Sequence, residues 1–105
     1  MRLGRVRHLP VVDAKARLVG ILSSFDLAKA LVRAPGGLVS EAMSTRLVTI
    51  REDALAADAA RVMRQKKLGS LPVVDARGRL VGLVTETDFL QTAELALRGK
   101  PLRRR

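Results

Sequence analysis

Short apolar runs broken by Asp and Gly divide this chain into strand-like and helix-like pieces. Leu-Pro-Val-Val at 71–74 is a short, partly β-branched run, and 79–84 is a second one. Between them Asp75-Ala76-Arg77-Gly78 carries turn-forming residues, so the two runs read as a hairpin. Thr85-x-x-Asp88 then opens a helix expected to run to about Leu97, before Gly99 and Pro101 stop it. The same order occurs earlier in the chain. A strand is expected at 9–12, a turn at 13–16, a strand at 17–22 and a helix from about Ser24 to Arg33, closed by Pro35-Gly36-Gly37. Upstream of the second hairpin, 47–50 alternates as a strand. Asp53 is placed to cap a helix over 54–67, on which Leu55, Ala59, Val62 and Met63 form one apolar stripe.

The two halves are copies. LPVVDAKARLVGILSSFD at 9–26 and LPVVDARGRLVGLVTETD at 71–88 lie 62 residues apart (71 − 9) and are identical at 11 of their 18 positions. The full unit is strand, helix, strand, strand, helix. Subtracting 62 places Met63 on Met1 and Leu68 on Val6, so the chain begins where the first copy's initial helix should be ending. That copy's first strand and most of its first helix are expected upstream of Met1, or from a partner. The expected fold is α/β, of the α+β type, with two units related by an approximate twofold axis. Residues 1–35 form an incomplete first repeat, 36–39 a linker, 40–98 the second repeat and 99–105 a basic tail.

Composition narrows the chemistry. Aromatic residues are 2% of the chain, namely Phe25 and Phe89, so the core is aliphatic. Cysteine is absent and there is one histidine, His8. This excludes disulfides, thiolate metal sites and most nucleophile–base arrangements. No carboxylate-rich metal pattern and no Gly-rich phosphate loop occurs, so the chain reads as neither an enzyme nor a protein with a resident cofactor. A signal peptide and a long apolar span are also missing, and the expected location is cytoplasmic. The net charge of +10 favours anionic partners, with Arg98, Lys100 and Arg103 to Arg105 clustered at the end. Nucleic-acid binding through that tail is the least favoured reading, because Tyr and Trp are absent and no stacking platform is offered.

Leu-Pro-Val-Val-Asp followed by Leu-Val-Gly-hydrophobic-x-Ser/Thr-x-x-Asp, found twice, resembles the cystathionine-β-synthase-type (CBS) domain. The stretch Val39-Ser-Glu-Ala-Met43, then 47–50 and Asp53, resembles the start of such a domain. The tandem is similar to a CBS pair, or Bateman module. That resemblance implies a regulatory module that binds AMP, ADP, ATP or S-adenosylmethionine between the repeats. It also implies a homodimer and an effector domain or enzyme outside this chain. A dimerisation module without ligand is the alternative.

The resemblance places a ribose-binding carboxylate at Asp26, with Ser23, and at Asp88, with Thr85. It places basic residues for phosphate at Arg7 and His8, and a base slot along Leu9, Pro10 and Val11 and along Leu71, Pro72 and Val73. From the residues alone, Ser/Thr-x-x-Asp reads first as a helix-capping pattern; the resemblance adds the ribose role, and the two are compatible. Gly20 and Gly82 inside strands mark a close approach of backbone, ligand or a packed neighbour.

Overall fold

The computed structural model describes residues 8–33 and 36–100. Its elements in chain order are β1 (His8–Val12), β2 (Leu18–Ser23), α1 (Ser24–Arg33), a short α2 (Val39–Ala42), β3 (Ile50–Arg51), α3 (Ala56–Lys66), β4 (Ser70–Val74), β5 (Leu80–Thr85) and α4 (Glu86–Leu97). The strands form two sheets, one of β1 and β2 and one in the order β3-β4-β5. The mixed α/β architecture expected of the repeat is therefore present. The expected start of the first repeat, and Arg7 with it, lies outside the described residues.

The copies match in register as well as in sequence. Leu9 faces Leu22, Pro10 faces Ile21 and Val11 faces Gly20 across β1 and β2. Leu71 faces Val84, Pro72 faces Leu83 and Val73 faces Gly82 across β4 and β5. Each ladder slips once, between Val11 and Val12 and between Val73 and Val74. A slip at the same place in both copies is a property of the hairpin itself. It follows from the turn chemistry: the Asp13 carboxylate accepts the backbone N–H groups of Lys15 and Arg17 and, on its second oxygen, Arg17 Nε. Asp75 does the same with Arg77 and Arg79. One carboxylate thus satisfies turn donors that the ladder leaves unpaired.

The core belongs mainly to the second repeat. Ala59, Met63 and the fully buried Leu71 form its centre, with Val48, Ile50, Val62, Leu68, Val84 and Phe89 packed around them. The apolar stripe expected on the first helix of that repeat is correct at 59, 62 and 63 but not at Leu55, which is 70% exposed. Nor does Asp53 cap that helix. Ala54 N–H donates to the Arg51 carbonyl at 3.0 Å, closing a turn that holds the helix back to Ala56 behind Leu55. Asp53 lies outside this helix start and pairs with Arg51 at 3.3 Å. The strand expected at 47–50 is paired only at Ile50 and Arg51, where it runs parallel to β4.

Two sets of backbone hydrogen bonds join the repeats. At the hairpin turns, Leu18 N–H donates to the Gly78 carbonyl (3.0 Å) and Leu80 N–H donates to the Ala16 carbonyl (2.9 Å). These bonds exchange under the offset of 62, as an approximate twofold axis requires. Both carbonyl-bearing residues are left-handed, Ala16 at φ 65° and Gly78 at φ 78°. The second set joins Ile21 of β2 to Ser44, each donating its N–H to the other's carbonyl at 2.9 and 2.8 Å. Met43, just before it, lies over Gly20, where a Cβ would overlap its side chain. Gly20 is thus a packing glycine, whereas a Cβ on Gly82 would meet nothing closer than Val73 at 3.9 Å.

The hairpin turns yield two expectations. A left-handed alanine costs about 1–2 kcal/mol, and glycine there gives back about 0.5–1 kcal/mol through its freer unfolded chain. Ala16→Gly should therefore stabilise by about 0.5–1 kcal/mol in urea unfolding, and Gly78→Ala should destabilise by a similar amount. For acid stability, the backbone N–H of Arg79 is the largest influence holding the Asp75 carboxyl below its ordinary 3.8, and that of Arg17 does the same for Asp13. A folded-state value below the unfolded one adds stability that is complete above 3.8 and is lost as the pH falls through the lower folded value. Asp75→Asn should flatten the acid limb of stability against pH. Asp13→Asn should do so less, because its side chain is 27% exposed against 10% for Asp75.

Candidate functional site

The Ile21–Ser44 pairing decides where a cleft can form. It brings the extended segment after α2 alongside the end of β2 and the start of α1. The resulting open cleft, about 480 Å³, is lined from the first repeat by His8, Ile21, Ser23, Phe25 and Asp26. From the second repeat come Ser44, Arg46, Val48, Lys67, Leu68, Gly69, Ser70 and Pro72. That volume lies within the range of small-molecule sites.

Several of its polar groups have a structural reason for their position. Ser23 ends β2, and its Oγ accepts the Asp26 backbone N–H at 3.0 Å, so the hydroxyl caps α1. Asp26 sits in the first turn of α1, where the positive end of the helix favours a carboxylate. Arg46 follows a small turn in which its N–H donates to Ser44 Oγ at 3.3 Å. Lys67 ends α3 in the left-handed conformation, at φ 55° and ψ 49°, and its N–H donates to the Met63 carbonyl. That reversal drops Leu68 onto the core and lets β4 begin at Ser70. On the first-repeat side, Phe25 forms an apolar wall, with the Lys29 ammonium 5.0 Å from its ring centroid.

Of the residues singled out from the sequence, His8, Ser23, Asp26 and Pro72 line this cleft. Arg7 lies outside the described residues. Asp88 and Thr85 do not line it. They close a reciprocal cap instead: Asp88 Oδ2 accepts the Thr85 N–H at 2.8 Å, and Thr85 Oγ1 accepts the Asp88 N–H at 3.4 Å. Leu71 is drawn fully into the core against Ala59 and Met63 and does not reach the cleft. Leu9, Pro10, Val11 and Val73 do not line it either. Their places in the hairpin ladders direct them elsewhere, and Leu9 is exposed.

The cleft also contains residues that the repeat did not reveal, chiefly Arg46, Val48 and Lys67. The copies could not point to them. The counterpart of Arg46 falls before residue 1, and that of Lys67 is Arg5, outside the described residues. Only Gly69 and Ser70 had a signal, as the residues ahead of the second Leu-Pro-Val-Val.

The CBS-domain family model matches residues 1–33 and 39–94, and the chain belongs to that family. It is 39% identical over 97 residues to inosine-5′-monophosphate dehydrogenase of Mycobacterium bovis, covering 91% of this chain and 18% of that enzyme. The cytosolic domain of the Mg²⁺ channel MgtE, solved in complex with ATP, superposes with a TM-score of 0.72 at 42% identity. That match covers 81% of this chain and 33% of the other. The CBS domain pair of protein MJ0100, solved with 5′-methylthioadenosine and S-adenosyl-L-methionine, superposes with a TM-score of 0.70 at 36% identity, covering 85% and 71%. The chain spans less than a fifth of the length of curated relatives such as the dehydrogenase and a magnesium transporter. Among the described residues, no helix is long and apolar enough to cross a membrane.

Proposed function

We propose that this chain is a regulatory module that senses an adenine nucleotide bound in the cleft between its two repeats. The observation that carries this reading is the makeup of the cleft: one half-buried carboxylate, an apolar wall and a cationic rim around a single cavity. Those are the three features an adenosine ligand requires. Asp26 would accept from the ribose hydroxyls, and Ile21, Phe25, Val48 and Pro72 would flank the base. Solved relatives that hold ATP and S-adenosylmethionine support the reading. The module binds rather than catalyses. It would act on an effector domain or enzyme, as its match to under a fifth of a dehydrogenase suggests.

The test separates the two aspartates. Both substitutions to Asn leave a helix-capping side chain in place. Asp26→Asn should weaken ATP or AMP binding by about 1.5–3 kcal/mol, roughly ten- to hundredfold, as a lost charge-assisted contact. Asp88→Asn should leave affinity unchanged. Isothermal titration of both variants, with circular dichroism as the check on folding, decides the matter. Equal affinity for Asp26→Asn and the parent would remove the ribose role.

Self-association is part of the same proposal. α1 exposes Phe25, Leu31 and Val32, and α4 exposes Leu90, Leu95 and Leu97, apolar side chains that a second copy could cover. Sedimentation velocity should give a dimer, and a clean monomer at high concentration would overturn this.

A further inference from the structure

We propose that the cleft selects its adenine ligand by negative charge, with Arg46 and Lys67 of the second repeat reading the phosphates. On this view it favours phosphorylated nucleotides over S-adenosylmethionine. The inference rests on the cleft being the nucleotide site. Two observations carry it.

The first is the balance of groups in the cavity. His8, Arg46 and Lys67 line it, against one carboxylate, Asp26. With Asp26 engaged by ribose hydroxyls, the charge facing the rest of a ligand is cationic. Phosphate oxygens suit that rim, since a guanidinium forks onto them and an ammonium offers three donors. S-adenosylmethionine carries a sulfonium and an ammonium against a single carboxylate, so its net positive charge meets like charge.

The second is that both cations are uncommitted. Arg17, Arg51, Arg61, Arg79 and Arg98 are each paired with a carboxylate. Among the described residues, Arg46 and Lys67, exposed at the cleft, make no such pair and so are available to a ligand, as are other surface cations such as Arg33, Arg64 and Lys66 that do not line it.

The net charge of +10 would attract any anion weakly, so the experiment needs a charge-matched control. Lys66, next to Lys67 but on α3 and not lining the cleft, provides it. Affinities for ATP, AMP, adenosine and S-adenosylmethionine are measured by isothermal titration on the parent and on Arg46→Gln, Lys67→Gln and Lys66→Gln. The parent should bind ATP more tightly than AMP, AMP more tightly than adenosine, and S-adenosylmethionine no more tightly than adenosine. Arg46→Gln and Lys67→Gln should each weaken ATP about three- to tenfold while changing adenosine less than about twofold, as expected for partly solvated charged contacts. Lys66→Gln should change neither by more than about twofold. S-adenosylmethionine binding as tightly as ATP overturns the charge selection while leaving the cleft as an adenosine site. The same holds if Arg46→Gln and Lys67→Gln weaken ATP no more than Lys66→Gln does. Failure of the parent to bind adenosine and ATP alike would overturn both the selection and the site.

Discussion

Backbone pairing between the repeats places every group in the cleft. Ile21 and Ser44 exchange two hydrogen bonds across the junction, and the hairpin turns exchange two more through Ala16 and Gly78. Main-chain pairing of this kind is insensitive to side-chain identity but strict in register, because a slip of one residue turns each side chain to the opposite face. With Ile21 opposite Ser44, the end of β2 delivers Ser23 and Asp26 to the same space that Arg46 and Val48 enter from the other side. Lys67 to Ser70 close that space because the left-handed end of α3 turns the chain back toward it.

The same arrangement explains why two equivalent aspartates occupy different settings. Asp88 faces back onto the strand it follows, held by the Thr85 N–H and hydroxyl in a closed cap. Asp26 stands at the equivalent position in α1, but the start of the second repeat lies across from it and forms the cleft wall. Pseudo-symmetry in sequence thus yields asymmetry in use. The covering partner matters as much as the residue itself.

The glycines show the same dependence. Gly20 and Gly82 hold the same register position in matching hairpins, facing Val11 and Val73. Only Gly20 lies beneath Met43, and only there does the absence of a Cβ matter for packing. Met43 is delivered by the same junction that brings Ser44 to Ile21, so cleft formation and close packing over β2 arise from one event.

Local information sufficed for the repeat unit. Hairpins, their turns and the capped helices after them follow from short-range chemistry: β-branched runs, an Asp that binds its own turn, and a hydroxyl three residues before a carboxylate. These signals lie within a few residues of the groups they control, so α1 and α4 fall where the pattern puts them. Asp53 and Leu55 departed from the pattern because a backbone turn over residues 51–54 intervened, and a turn closed by main-chain atoms leaves little mark in side chains. Arg46, Val48 and Lys67 were not legible as cleft residues for a different reason. Their role depends on which parts of one repeat are brought against the other, far apart along the chain. The tertiary pairings at Ile21 and Ser44 and between the hairpin turns set that juxtaposition, because backbone hydrogen bonds between distant segments carry no residue code of their own.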